Sequence, residues 1–243
     1  MNLIIDIGNT RAKFAIFDGD NLIERGDGLN RWNARATAAR ERGEDVDVLL
    51  AATGEVPATT REHLQRVATS FREATTALPL PLRIDYETPA TLGIDRVASC
   101  VAGAALYPAR DLLVVDAGTA ITFNYASAEG VFLGGAISPG ARARYRALHQ
   151  FTARLPLVEG LGRGETIGKN TRDAIREGVT RGVLAEIRER AADFLREHPG
   201  GALLLAGGDS MTLSKLLPAC FRLERHLVMT GLNKILEYQK KNT

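Results

Sequence analysis

Cysteine is scarce in this sequence, with only Cys100 and Cys220 among 243 residues. Two cysteines so far apart make neither a disulfide framework nor a zinc spacing, so a reducing compartment is expected. Histidine offers no metal centre either: His63, His149, His198 and His226 are scattered without ligand spacing and read as surface or core residues. Charge of one sign is also lacking. A formal net charge of +2 gives no electrostatic footprint for nucleic acid or an anionic membrane. No apolar run is long enough to span a bilayer, and the first is interrupted at Asp6 with no basic region before it. The expectation is a cytoplasmic protein without a signal peptide, a membrane span or a nucleic-acid partner.

What is present is ordinary globular material, 45% apolar and 25% charged, enough for one large domain or two smaller lobes. Residues 2–6, with the apolar Leu3–Ile5 at their centre, show the pattern of a strand buried on both faces. Residues 12–27 read as a hairpin around "FDGDN", and 46–52 as another buried strand. A helix is predicted from Pro57 to Phe71, a proline-bearing connector over 77–96, and a small-residue helix from Arg96 to Leu106. Then the opening pattern restarts. "LIIDIGNTRAKFAIF" (3–17) and "LVVDAGTAITFNY" (113–125) share strand, aspartate, glycine, threonine and returning strand, with one residue fewer in the second turn. A third strand follows over 131–137, then helices over 139–149 and 170–197, a strand over 202–208, a helix over 209–217, and a strand plus helix over 226–239. This order predicts an α/β fold of two similar lobes, 1–110 and 111–243, each carrying one of the repeated turns.

The turns carry the chemistry. A glycine after a strand lets backbone approach a ligand, and successive N–H groups make an anion-binding concavity. Gly8 supplies the turn, Asn9 and Thr10 add donors, and Lys13 sits on the returning strand. Asp6 repels phosphate, so it makes sense with Mg²⁺ or its waters between the two. Asp116, Gly118 and Thr119 repeat the arrangement, and two such turns would clamp a nucleotide's phosphates in a cleft. "LLLAGGDS" (203–210) is a third glycine turn that opens a helix. Two look-alikes fail. "GRGETIGKNT" (162–171) has five residues between Gly162 and Gly168, with Asn170 where a Walker loop has Ser or Thr, and no strand precedes "GLGRG" (160–164). Lys169 and Thr171 keep a possible role as a helix start that meets substrate. In "GIDR" (93–96), Asp95 reads either as a general base for a hydroxyl or as the N-cap of the following helix.

Together "DIGNTRAK" (6–13), "GIDR" (93–96), "DAGTAITF" (116–123) and "GGAISPG" (134–140) resemble the type III pantothenate kinases. The resemblance extends through "GKNTRDAIREGVTRG" (168–182) and "AGGDS" (206–210) to "LVMTGLN" (227–233). It implies two actin-like (ribonuclease H-like) lobes with a nucleotide cleft between them, and transfer of the ATP γ-phosphoryl group to pantothenate. Asp6, Ile7, Gly8, Asn9, Thr10, Arg11, Ala12 and Lys13 then form the first phosphate loop, with Thr119 a further ATP contact. Tyr86, Gly93, Ile94, Asp95, Arg96 and Thr171 become pantothenate contacts, with Asp95 the proton acceptor. Asp116 takes a monovalent cation, K⁺ or NH₄⁺, and Asp6 holds Mg²⁺ through water. The resemblance also implies a homodimer. Ala206 departs from it, standing where the superfamily often has Thr before the paired glycines; Met229 and Thr230 are also less usual. Two other readings stay open: a kinase for another small polar metabolite, and an inactive nucleotide-binding regulator of the same fold.

Overall fold

The structure is a computed structural model. It describes residues 1–8, 11–28 and 32–242, so Asn9 and Thr10 of the first turn lie outside the described residues. The chain divides into two compact units, one of Met1–Leu106, Gly130–Phe132 and Leu227–Thr243, the other of Tyr107–Glu129 and Leu133–His226.

In the first unit the chain forms strands β1 (Asn2–Ile7), β2 (Ala12–Asp18) and β3 (Asn21–Asp27) and helix α1 (Asn33–Glu41). Next come β4 (Asp47–Ala52), α2 (Ala58–Val67), β5 (Ser70–Glu73), the two-residue β6 (Arg83–Ile84), a 3₁₀ turn at Pro89–Thr91 and α3 (Ile94–Leu106). The sheet order is β3-β2-β1-β4-β5. β1 pairs antiparallel with β2 and parallel with β4, which sets Asp6 opposite both Lys13 and Ala51. Strand β1 is central and covered on both faces. Leu3, Ile5 and Ile7 pack with Trp32, Ala36 and Ala39 of the α1 segment and Leu64 of α2. That burial explains the uninterrupted apolar run at 3–5, and each such side chain contributes roughly 1.5–3 kcal/mol.

The second unit holds β7 (Leu112–Ala117), β8 (Ala120–Ala126), β9 (Val131–Pro139), α4 (Ala141–Gln150), α5 (Thr171–Glu197), β10 (Ala202–Ala206), α6 (Ser210–Leu213) and β11 (Phe221–Leu223). Its sheet runs β11-β10-β7-β8-β9-β6, and its first five strands repeat the order of the first sheet, strand for strand. β7 pairs antiparallel with β8 and parallel with β10, so Asp116 stands opposite Thr122 and Ala206. The repeat in the sequence is therefore a repeat of topology. The buried face of α5, with Val183, Leu184, Ile187 and Phe194, covers Leu113, Val115, Ile121 and Phe123. The first two residues of β9 count with the first unit, where Val131 and Phe132 pair with Arg83 and Ile84 of β6.

Helix α7 (Leu227–Lys241) returns to the first unit and packs along α3. The approach is close enough that a Cβ on Gly231 would overlap the Ala98 carbonyl. Asn2, buried at the start of β1, donates to Asn233 at 2.8 Å and to Glu237 at 2.7 Å, and Asn233 donates to the Gly19 carbonyl at 2.9 Å. These bonds fix α7 to β1 and to the β2–β3 turn, and with it the helix whose first turn carries Asp95 and Arg96.

Several boundaries differ from the sequence reading, each for a tertiary reason. The helix predicted to Phe71 stops at Val67, because 70–73 leaves it to pair with β4. The helix predicted over 209–217 is regular only over Ser210–Leu213. No strand begins at 226; the edge strand lies earlier, at Phe221–Leu223, beside β10.

Candidate active site

At the end of β1 the chain turns through Gly8, whose N–H donates to the Arg11 carbonyl at 3.0 Å. Ile7 points into the core, so only its main chain is available to a ligand, whereas Arg11 and Lys13 are exposed. The second turn is tighter: Gly118 N–H donates to the Ala120 carbonyl at 2.9 Å, with Thr119 exposed at the tip.

Around Asp116 two further glycine motifs converge. Gly140 donates its N–H to the Thr119 carbonyl at 3.1 Å, and a Cβ there would overlap the Gly118 carbonyl. Gly207 takes φ +94° and lies so close that a Cβ would fall 2.5 Å from Asp116 Oδ1. Asp209 N–H donates to the Ala117 carbonyl at 3.0 Å. "GGAISPG" and "AGGDS", separate in the sequence, thus close on the Asp116–Thr119 turn, the second against the carboxylate itself, at the C-terminal ends of two parallel strands. Ligands in α/β sheets bind at such strand ends. Burial pushes the Asp209 carboxyl above its usual range, with Arg142 opposing.

In the first unit the electrostatics centre on Asp6. Burial raises its carboxyl from the ordinary 3.8 to about 6; the Lys13 ammonium opposes the shift and the negative charge of Asp95 adds to it. The turn and "GIDR" are therefore electrostatically coupled, which nothing in their spacing required. Asp95 sits within the first turn of α3, not before it as an N-cap; its Oδ1 accepts the Arg96 N–H at 2.9 Å. A Cβ on Gly93 would collide with that same Oδ1, so glycine is what leaves the carboxylate room. Ile94 is buried and serves packing.

Arg96 is buried in an aromatic corner. Its guanidinium carbon lies 5.9 Å from the Tyr86 ring centre and 5.7 Å from that of Phe132, and the two rings are 6.3 Å apart. Contacts of this kind hold a guanidinium without neutralising it. Phe132 was not among the residues singled out from sequence; it arrives through β6–β9 pairing, which no local pattern announces. Thr171 lies in the other unit, exposed at the start of α5. There it lines a cavity of about 910 Å³ with Lys169, Arg144, Leu148 and Ile175.

Among the described residues no group of three or more His, Cys, Asp or Glu side chains gathers to hold a metal. Asp6 still suits a divalent ion: it is a buried carboxylate with a second negative charge near it, short of positive charge. Mg²⁺ usually takes one or two carboxylates, waters and substrate phosphates.

A raised carboxyl pKa means that ionising Asp6 costs stability in the folded state. The cost is absent below pH 3.8, grows as pH rises and is complete above about 6. Asp6→Asn should accordingly be more stable than the parent at pH 8 without divalent ions, by up to about 3 kcal/mol. The difference should vanish near pH 4. Urea unfolding at both pH values checks this, and equal stability at pH 8 would refute it.

Comparison with known proteins gives the family. The sequence model of the type III pantothenate kinases matches residues 2–193. A type III pantothenate kinase of Bacteroides fragilis is 39% identical over 238 residues, 98% of each chain. That of Phocaeicola vulgatus is 39% identical over 241 residues, 99% of this chain and 100% of the other. Among solved structures, a conserved protein assigned to the Baf family of transcriptional activators from Campylobacter jejuni aligns with TM-score 0.61 and 24% identity, over 98% of this chain and 99% of that one. A protein assigned as a 2-dehydro-3-deoxygalactonokinase from Sinorhizobium meliloti aligns with TM-score 0.57 and 12% identity, over 100% and 99%. At those identities the two structures speak for the fold alone. With the family model matching most of its length and relatives near 39% identity end to end, this chain belongs to the type III pantothenate kinase family.

Proposed function

We propose that this protein transfers the γ-phosphoryl group of ATP to the 4′-hydroxyl of pantothenate, giving 4′-phosphopantothenate and ADP in coenzyme A biosynthesis. Family membership supports the reaction. The observation that carries the assignment of roles is the burial of Asp6 at the end of β1 beside the phosphate turn, which raises its carboxyl, with the charge of Asp95 adding to the shift.

Phosphoryl transfer asks little covalent chemistry of a protein; positioning and charge stabilisation do most of the work. Asp95 accepts the proton of the attacking hydroxyl as its oxygen bonds to the γ-phosphorus and the bond to the ADP oxygen breaks. Its place in the first turn of α3, with Gly93 leaving the carboxylate free space, supports that role. Arg96, Tyr86 and the main chain of Gly93 and Ile94 orient pantothenate, with Thr171 a further contact. The main chain at Ile7, Gly8 and Ala12, the Arg11 and Lys13 side chains, Asn9 and Thr10, and Thr119 of the second turn meet ATP. Asp6 would hold Mg²⁺ through water, and the ion would supply neutralising charge for the phosphates. Asp116 would take a monovalent cation, K⁺ or NH₄⁺, as the family resemblance implies; its half-buried place at the end of β7, with the Gly207 backbone against its Oδ1, supports that role. Asp6, Lys13, Asp95, Arg96 and Asp116 are all present, and no observation favours an inactive regulator.

The two free cysteines and the absence, among the described residues, of any helix long and apolar enough to cross a membrane fit work in the cytoplasm. A homodimer suits the second unit, where Leu133, Ile137, Phe151 and Ile167 expose large apolar side chains, Phe151 to 81%. Sedimentation at micromolar concentration should give twice the 26.3 kDa chain mass, and a persistent monomer would contradict the dimer.

In a coupled ADP-release assay, turnover should require pantothenate rather than pantetheine or simple sugars. It should fall when K⁺ or NH₄⁺ is replaced by Na⁺. Asp95→Asn should lose at least about 100-fold in kcat while keeping ATP affinity within a few-fold. Pantothenate-independent ADP release would overturn the substrate; full turnover in Asp95→Asn would overturn the base; indifference to Na⁺ would remove the cation from Asp116.

A further inference from the structure

The segment "GLGRGETIGKNT" (160–171) has the glycines of a phosphate loop without its spacing. In the fold its amides do bind an anion, and the anion is part of the chain. Glu177, buried on the second turn of α5, accepts the Arg163 N–H on Oε1 at 3.0 Å and the Glu165 N–H on Oε2 at 2.8 Å. Among the described residues it has no salt-bridge partner, so main-chain amides alone offset a desolvated charge. Bonds from amides to a carboxylate are stronger than neutral ones, and losing them would leave a buried charge uncompensated.

The rest of the loop is built around this contact. A Cβ on Gly162 would press on the Glu177 carboxylate, with Cδ only 2.6 Å away. The Gly162 N–H donates to Thr180 Oγ1 at 2.7 Å, and the Tyr145 hydroxyl donates to the Gly160 carbonyl at 2.9 Å. Downstream, Gly168 lies against the main chain of Asp173 and Ala174, where any side chain would collide. Asn170 caps α5, accepting the Asp173 N–H at 3.0 Å. Between these two anchors the chain delivers Lys169 and Thr171 to the wall of the 910 Å³ cavity.

We infer that Glu177 is a positioning residue: its carboxylate fills the amide nest of loop 160–165 and thereby fixes the 168–171 segment that presents Thr171 to pantothenate. This rests on the kinase reading for the identity of the ligand, not for the tether itself. The loop's resemblance to a phosphate site is then explained, because the nest is real and already occupied.

Glu177→Ala in the full chain should raise the pantothenate KM by about tenfold or more while kcat and the ATP KM change far less. Millimolar formate or acetate, entering the vacated nest, should bring the KM back toward the parent value, as an amide concavity binds small anions. An unchanged pantothenate KM would overturn the inference. So would a loss shared equally by both substrates, tracking the fall in thermal midpoint and indifferent to formate. Should the alanine variant fail to fold, Glu177→Gln and amide hydrogen exchange decide. The amides of Arg163 and Glu165 should exchange slowly in the parent and markedly faster in Glu177→Gln; equal rates would refute the tether. Exchange needs no turnover. A parent protein that releases no ADP with pantothenate would therefore count against the kinase reading and leave the tether separately testable.

Discussion

The chemistry proposed for the first unit turns on one carboxylate at the end of a strand buried on both faces. Packing supplies the position: Leu3, Ile5 and Ile7 make β1 central, and the strand delivers Asp6 where water is largely excluded. Burial makes the charge costly, and the nearby charge of Asp95 makes it costlier. Lys13, directly across the ladder, only partly compensates. Sites that bind cations or transfer protons are where such costs are retained, because the ligand relieves them.

The second unit repeats the architecture with a different resolution of the same problem. Asp116 occupies the equivalent register, opposite residues of the returning strand and the next parallel strand. Gly207 brings its backbone against the Asp116 carboxylate, Gly140 packs on the Gly118–Thr119 turn, and the Asp209 N–H closes on the Ala117 carbonyl. The different ions proposed for the two aspartates rest on the family resemblance, with the burial of Asp6 beside the charge of Asp95 as the structural support for the first.

What was legible in the sequence is what is encoded locally. The doubly buried strand at 2–7, both hairpin turns, the one-residue difference between them and the small-residue helix α3 could be read because pattern and turn chemistry agree over a few residues. Helix α1 could not, since only Ala36 and Ala39 bury among its charged neighbours and its period is nearly silent. Strands β5 and β11 exist because a parallel neighbour accepts them, and α7 joins the first unit through Asn2, Asn233 and Gly231, more than 200 residues from β1. The site divides the same way. Asp6, Gly93, Asp95 and Arg96 were visible as motifs, but their coupling was not. Phe132 reaches Arg96 by strand pairing, and Glu177 reaches its loop across a helix turn from 12 and 14 residues away. Acid and amide at that separation leave no periodic trace.

The central claim is that Asp6 and Asp95 share one electrostatic site. The most direct test follows the Asp6 carboxyl carbon by ¹³C NMR through a pH titration, in the parent protein and in Asp95→Asn, without divalent ions. The account predicts a midpoint of about 6 in the parent and a lower one once the Asp95 charge is removed. A midpoint near the ordinary 3.8, or one that ignores the substitution, would contradict it.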